Sequence, residues 1–253
     1  MNDETTDENP MTKAQAAARA ALPKRFYKAV DVSEGEGGFV VRLDGRLVRT
    51  PKRRALVLPN RGLAEAIADE WRAVENVVDP ADMPVTRIAN TAIDGVADTM
   101  EAVARDAARF AGSDLLCYRA EDPEGLVARQ TESWDPLLDW ARSDLGLRFN
   151  LAGGVMHVAQ PQETLDRAVE HLSTVDPFTL TGLHVMTSLT GSLVLALAVL
   201  HGRLTAEEAW AASLVDEDWQ IGLWGEDEEA MRRRRRNWLE MEAAARLARH
   251  GSG

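Results

Sequence analysis

The stretch Leu183–Leu200, LHVMTSLTGSLVLALAVL, sets the tightest limit on what this chain can fold into. Its last eight residues, Leu193–Leu200, are purely apolar. A helix there has no polar face to give to water and must be covered on every side. Eight apolar residues cannot cross a bilayer, which needs about 20. The residues before them are diluted by His184, Thr187, Ser188, Thr190 and Ser192. The stretch therefore reads as a buried central helix of a soluble protein, with no membrane insertion.

Around that helix the pattern divides the 253 residues in three. Residues 1–23 are an acidic tail (MNDETTDENP) followed by an Ala-rich stretch, Lys13–Leu22, expected to form a loose helix. Residues 24–97 read as a small α+β domain. FYKAVDV, GGFVVRL and RLVRTP are β-branched and aromatic enough for three short strands, with ALVLP as a fourth. Gly35–Gly38 punctuates the first pair, and Asp44-Gly45 suits a two-residue type I′ hairpin. Asn60 then caps a helix whose apolar positions are Leu63, Ile67, Trp71, Val74 and Val78, ended by Asp79-Pro80. MPVTRIANTAIDGV is expected to be a strand and loop closing this domain.

Residues 98–250 read as a helical bundle, expected to be orthogonal, with helices over 98–111, 123–132, 134–145, 162–174, 178–201, 206–224 and 227–249. A short excursion is expected near Phe149–Val158, where Gly153-Gly154 breaks any helix. Thr205-Ala206-Glu207-Glu208 is a capping box, Asp176-Pro177 is a cap followed by proline at the first helical position, and His250-Gly251 is a stop. The fold class is thus α+β, an antiparallel N-terminal β/α domain before a helical one.

Composition removes several functions. The formal net charge is -12, which argues against binding a phosphate backbone; no nucleic-acid partner is expected. The run Arg232–Arg236 wraps round its helix rather than forming a stripe, and Glu228 and Glu229 lie four residues before Arg232 and Arg233. It reads as a solvated, ion-paired segment. Cys117, the single cysteine, reads as a small core residue in a reducing compartment. The five histidines stand 13 or more residues apart, without metal-ligand spacing. No nucleophile elbow, phosphate loop or zinc motif is present, and the glycines at 35, 37 and 38 precede a strand rather than a helix. No catalytic residue, cofactor, metal or small-molecule substrate is expected.

The runs KRFYKAV, LDGRLVRTP, LVLP, LAEAIADEW, MPVTRIANTAIDGV, DLLCYRA, WDPLLDWA and DEDWQIGLWGED, in that order, resemble the ATP synthase F₁ assembly factors that chaperone the alpha subunit. The resemblance spans roughly Lys24 to Asp227. It implies a molecular chaperone, not an enzyme, whose partner is the unassembled alpha subunit before beta pairs with it. Eukaryotic members work in the mitochondrial matrix. The acidic N-terminus here, unlike a presequence, points to a bacterial relative in the cytoplasm. The acidic tail and the arginine run depart from the family pattern. Two other classes remain open to the residues themselves: a hydrolase with a dispersed carboxylate site, and a general adaptor.

The family's sensitive acidic position falls within Asp216-Glu217-Asp218-Trp219-Gln220, so Asp216 and Glu217 share it as candidate partner-binding residues. Within one helix over 206–224, Trp210, Leu214, Glu217, Ile221 and Trp224 are spaced 4, 3, 4 and 3, which puts the Glu217 carboxylate in the middle of an apolar face. Trp210 and Trp224 are the candidate aromatic anchors beside it.

Overall fold

The computed structural model describes residues 22–154 and 156–250. The acidic tail, all but the last residue of Lys13–Leu22, and Gly251 of the C-terminal stop lie outside them. Among the described residues the first sheet has four antiparallel strands: β1 (Val30–Gly35), β2 (Gly38–Leu43), β3 (Arg46–Leu47) and β4 (Val57–Leu58). β2 is central. It pairs with β1 from Val30↔Leu43 to Gly35↔Gly38, and on its other side with β3 and β4. The Asp44-Gly45 turn forms as expected, with φ of 48° and 78°. The Asp44 carboxylate also accepts from the Lys28 and Ala29 amides, which holds its pKa below the ordinary value.

Helix α1 (Arg61–Ala73) starts where expected, with Asn60 accepting from Leu63 N at 2.8 Å. It stops short of Asp79-Pro80. Residues 74–78 leave the helix and pair with the entering chain: Val78 N donates to the Pro23 carbonyl and Arg25 N to the Asn76 carbonyl, both at 2.8 Å. The Arg25 guanidinium takes the Val74 carbonyl as well. These bonds come from a distant part of the chain and outcompete the local continuation.

The larger correction concerns MPVTRIANTAIDGV. It is not a strand and loop but helix α2 (Pro84–Asp94). Val85, Ile88, Ala89 and Ala92 recur at helical spacing and are all buried. Proline at the first helical position suits the start. Glu70, on α1, completes it by accepting from Val85 N and Thr86 N, each at 2.7 Å. Burial nonetheless pushes the Glu70 pKa up.

The remaining helices are α3 (Met100–Ala108), α4 (Glu124–Asp144), α5 (Gln162–Ser173), α6 (Pro177–Thr190), α7 (Leu193–Leu200), α8 (Ala206–Ser213), α9 (Val215–Trp224) and α10 (Glu228–Ala248). A parallel pair of two-residue strands, β5 (Tyr118–Arg119) and β6 (Ala152–Gly153), accounts for the excursion near Phe149–Val158. Three helices depart from the expected boundaries. α4 is one helix where two were expected, running through Pro136, with Trp134 and Leu137 buried on either side. The segment 178–201 is two helices. Gly191 takes φ 71°, a left-handed stop, and Ser192 caps α7 by accepting from Leu195 N. The segment 206–224 is also two, divided at Leu214.

The apolar stretch is buried as its composition demands: every residue from Leu193 to Val199 is at most 1% exposed. α6 packs against α2, α3, α7 and α10. Its closest approach is to α10 at Gly182, where a Cβ would lie 2.5 Å from the Ala244 carbonyl oxygen and 2.8 Å from Ala248 N. Under the α6–α7 turn, the fully buried Asp114 accepts from Leu116 N and Val194 N, both at 3.1 Å. Burial pushes its pKa up to about 6, against the ordinary 3.8. Cys117 is also fully buried and its thiol is pushed up to about 12.

Two outcomes are expected. Gly182→Ala drives a methyl into α10 backbone and costs about 1–3 kcal/mol of stability, as overpacking does, read as a lowered urea midpoint with an unchanged slope. Asp114 retains its proton in the fold at pH values where the unfolded chain has lost it. Its protonation stabilises the fold below about pH 4, and that contribution is lost as pH rises through about 6. The stability of the native chain relative to Asp114→Asn therefore falls by on the order of 2–3 kcal/mol from acid to neutral pH in urea titrations.

Candidate partner-binding site

Every α-helix but one sends at least two residues into the core. Among the described residues α9 is the exception, with no buried residue at all. The N-terminal half of α10 resembles it, since its buried residues begin only at Met241. These two segments, joined by Gly225–Asp227, form a solvent-facing arm. Gly225 makes the turn with φ 85°, and Asp227 caps α10 by accepting from Ala230 N at 2.7 Å.

Few contacts hold the arm, but they are specific. The Ala212 carbonyl, which a continuous helix would direct to the Asp216 amide, receives the Trp134 indole N–H at 2.8 Å. The chain breaks at Leu214 and restarts as α9. The Asp216 carboxylate accepts from Gln130 Nε2 at 2.7 Å, and Gln130, 2% exposed, accepts in turn from Ala120 N. The Trp219 ring lies against Gly125, where a Cβ would come within 2.7 Å of it, and the Arg129 guanidinium sits 5.0 Å from its centroid. Asp218 binds Arg234 of α10 at 2.5 Å. That hydrogen bond raises the Arg234 pKa further above its ordinary value. Three acids in the first turn of α9 also sit favourably at the positive end of its dipole.

The structure scatters the four candidate residues. Trp210 is half-buried on α8, its ring 6.4 Å from that of Trp238. Asp216 is exposed but tied to Gln130. Glu217 is half-buried, within the electrostatic reach of Arg234. Trp224 is 82% exposed, at the far end of α9. The single apolar face carrying Glu217 does not exist, because the break at Leu214 separates Trp210 and Leu214 from Ile221 and Trp224. In its place the arm offers an exposed apolar tip, Leu223 (59%) and Trp224, at the opposite end of α9 from its acids, and Leu239 (54%) on α10 is a further exposed apolar side chain. Leu223 and Leu239 were not among the candidates. The arginine run is mixed: Arg232 pairs with Glu228 on the surface, while Arg234 braces the arm through Asp218.

A profile described as ATP12 chaperone protein matches residues 24–142. Solved structures extend the likeness across the chain. Atp12 from Paracoccus denitrificans is 44% identical, with a TM-score of 0.83, over 89% of this chain and 97% of that one. The chain belongs to the ATP12 chaperone family. A protein from Agrobacterium tumefaciens, described as a candidate chaperone, is 52% identical with a TM-score of 0.85, over 96% of this chain and 91% of that one. The mitochondrial protein atp12 of Schizosaccharomyces pombe is 28% identical over 231 residues, which is 87% of this chain and 79% of that protein. The α+β order of sheet and then helices is therefore the family's own architecture.

Gly125→Ala tests how the arm is held. Alanine should favour α4 by about 0.5–1 kcal/mol through propensity alone. Its methyl displaces the Trp219 ring, however, so α9 amides are expected to exchange about tenfold faster while core amides keep their protection. Unchanged α9 exchange would show that the Trp219 contact does not hold the arm.

Proposed function

We propose that this chain is an assembly chaperone of ATP synthase that binds the free alpha subunit of F₁ and releases it when beta pairs with it. It acts in the bacterial cytoplasm and performs no catalysis. The arm carries this reading. A subunit awaiting a ring partner exposes apolar surface that would otherwise aggregate. The arm provides a complementary element: an exposed Leu223-Trp224 tip on a helix that also carries three acids and has no fully buried residue. Aromatic anchors of this kind dominate interface energies.

The arm contacts also divide the work among its acids. Asp216 and Asp218 act within the chain, through Gln130 and Arg234, and so position α9. Glu217 shares the field of Arg234 without a hydrogen bond of its own among the described residues and is the acid left to meet the client. Trp210 then supports the arm from beneath, and Trp224 makes the contact.

Purified chain and isolated alpha subunit should co-elute one-to-one on size exclusion, while the assembled alternating ring should bind nothing. Equal binding to the ring would defeat the proposal. Trp224→Ala should leave the melting temperature unchanged and weaken the complex by about 2 kcal/mol or more, as loss of an interface anchor does. Glu217→Gln should likewise melt normally but bind more weakly, by about 2–5 kcal/mol if its pair with the client is desolvated.

A further inference from the structure

A second surface lies on the opposite kind of chemistry. Between α1, α2 and the loop after β3 runs a mostly apolar groove of about 550 Å³, whose walls include Trp71, Met83 and Asn90. Two features set it apart. Trp71 Nε1 and Asn90 Oδ1 are buried and, among the described residues, find no hydrogen-bond partner. Such orphans each cost about 1–3 kcal/mol, and here two of the three in the described chain line one groove. The rim is cationic. Arg49 and Lys52 are exposed and donate to the Arg53 and Asp94 backbone carbonyls, with no carboxylate at ion-pair distance among the described residues. The carboxylate of Asp94, the acid lining the groove, is already engaged by Thr50 Oγ1 at 2.7 Å and Lys52 N at 2.9 Å.

We propose that this groove is a docking site for an extended, acidic-apolar peptide segment of a partner protein, separate from the arm. An indole N–H needs an acceptor and an amide oxygen needs a donor. Peptide backbone presents both in alternation, whereas an ionised phosphate group presents acceptors alone. Alternate side chains of an extended segment then divide between the apolar floor and the rim of Arg49 and Lys52, the usual division of extended-peptide recognition. A small movement of the floor exposes Trp71 Nε1 to the incoming carbonyl.

The test uses the full chain, ¹⁵N-labelled, and a fluorescein-tagged peptide alternating leucine with glutamate. The Trp71 indole resonance, assigned by its loss in Trp71→Phe, should move downfield as peptide is added. Anisotropy should show saturable binding below about 1 mM, about tenfold weaker for the Arg49→Gln, Lys52→Gln variant. That variant changes exposed side chains, so it keeps the fold even if Trp71→Phe does not. A peptide with lysine in place of glutamate should not bind. An unmoved Trp71 resonance, or equal binding by the neutralised variant, would overturn the proposal. So would a Trp71 shift produced by anionic phosphatidylglycerol vesicles and not by peptide, which would assign the groove to lipid. A shift produced by deleting residues 1–10 and not by added peptide would assign it to the chain's own acidic tail, and would overturn the proposal equally.

Discussion

The contact between α6 and α10 at Gly182 is the constraint on which the rest of the structure depends. With no side chain at Gly182, the backbone of α10 at Ala244 and Ala248 comes to within methyl distance of α6. Small residues, Ala243, Ala244, Ala245 and Ala248, line the buried half of α10 and make that approach possible. α6 in turn is packed by α2, α3 and α7, so seating α10 fixes one end of a long rigid rod against most of the helical layer. The other end of the rod then projects as the scaffold of the arm. A helix of 21 residues is about 30 Å long, so clamping one half places the other where the fold alone could not bury it. Stability and the candidate site thus share a single element.

Short-range features were legible in the sequence because their causes are short-range. The Thr205 capping box, the Asp176-Pro177 start and the Asp44-Gly45 turn each depend on about four residues, and each stands where the residues put it. The errors share the opposite cause. α1 loses its last turn to bonds with residues 23–25, some 50 positions earlier in the chain. The break at Leu214 carries no Gly or Pro. It follows from Trp134 taking the Ala212 carbonyl and Gln130 taking Asp216, partners about 80 residues away. Asp135-Pro136 repeats the dipeptide that opens α6, yet it runs through the middle of α4 because Trp134 and Leu137 are buried on either side of it. For α2 the signal was present. Val85, Ile88, Ala89 and Ala92 have helical spacing, which the expectation of a strand and loop passed over.

The candidate site shows the same division. That acids and tryptophans gather near residues 210–224 is plain from the sequence. Which of them is free to act is not, because the sequence does not show that Gln130 claims Asp216 and Arg234 claims Asp218. One continuous helix would have made Glu217 the anomaly of an apolar face. The broken helix makes Trp224 and Leu223 the anomaly instead, as large apolar side chains in water. The physical question shifts from why a charge is buried to why an aromatic is not.

If the proposed function holds, an exposed tip on a thinly anchored helix bears directly on release. A chaperone that bound its client through a wide, rigid, fully complementary surface would compete with the assembled ring for too long. Affinity differences among related complexes lie mostly in the dissociation rate, which rises when an interface rests on few anchors. α9 is held to the body by the Trp219 ring, the Asp216–Gln130 hydrogen bond and the Asp218–Arg234 pair. The last of these is partly exposed and so of modest strength. The arm is therefore an element with a low cost of local opening. Under the proposed function, a client held at the arm would be handed over by letting go of one helix, while the buried half of α10 and the packed α6–α7 pair remain intact beneath it.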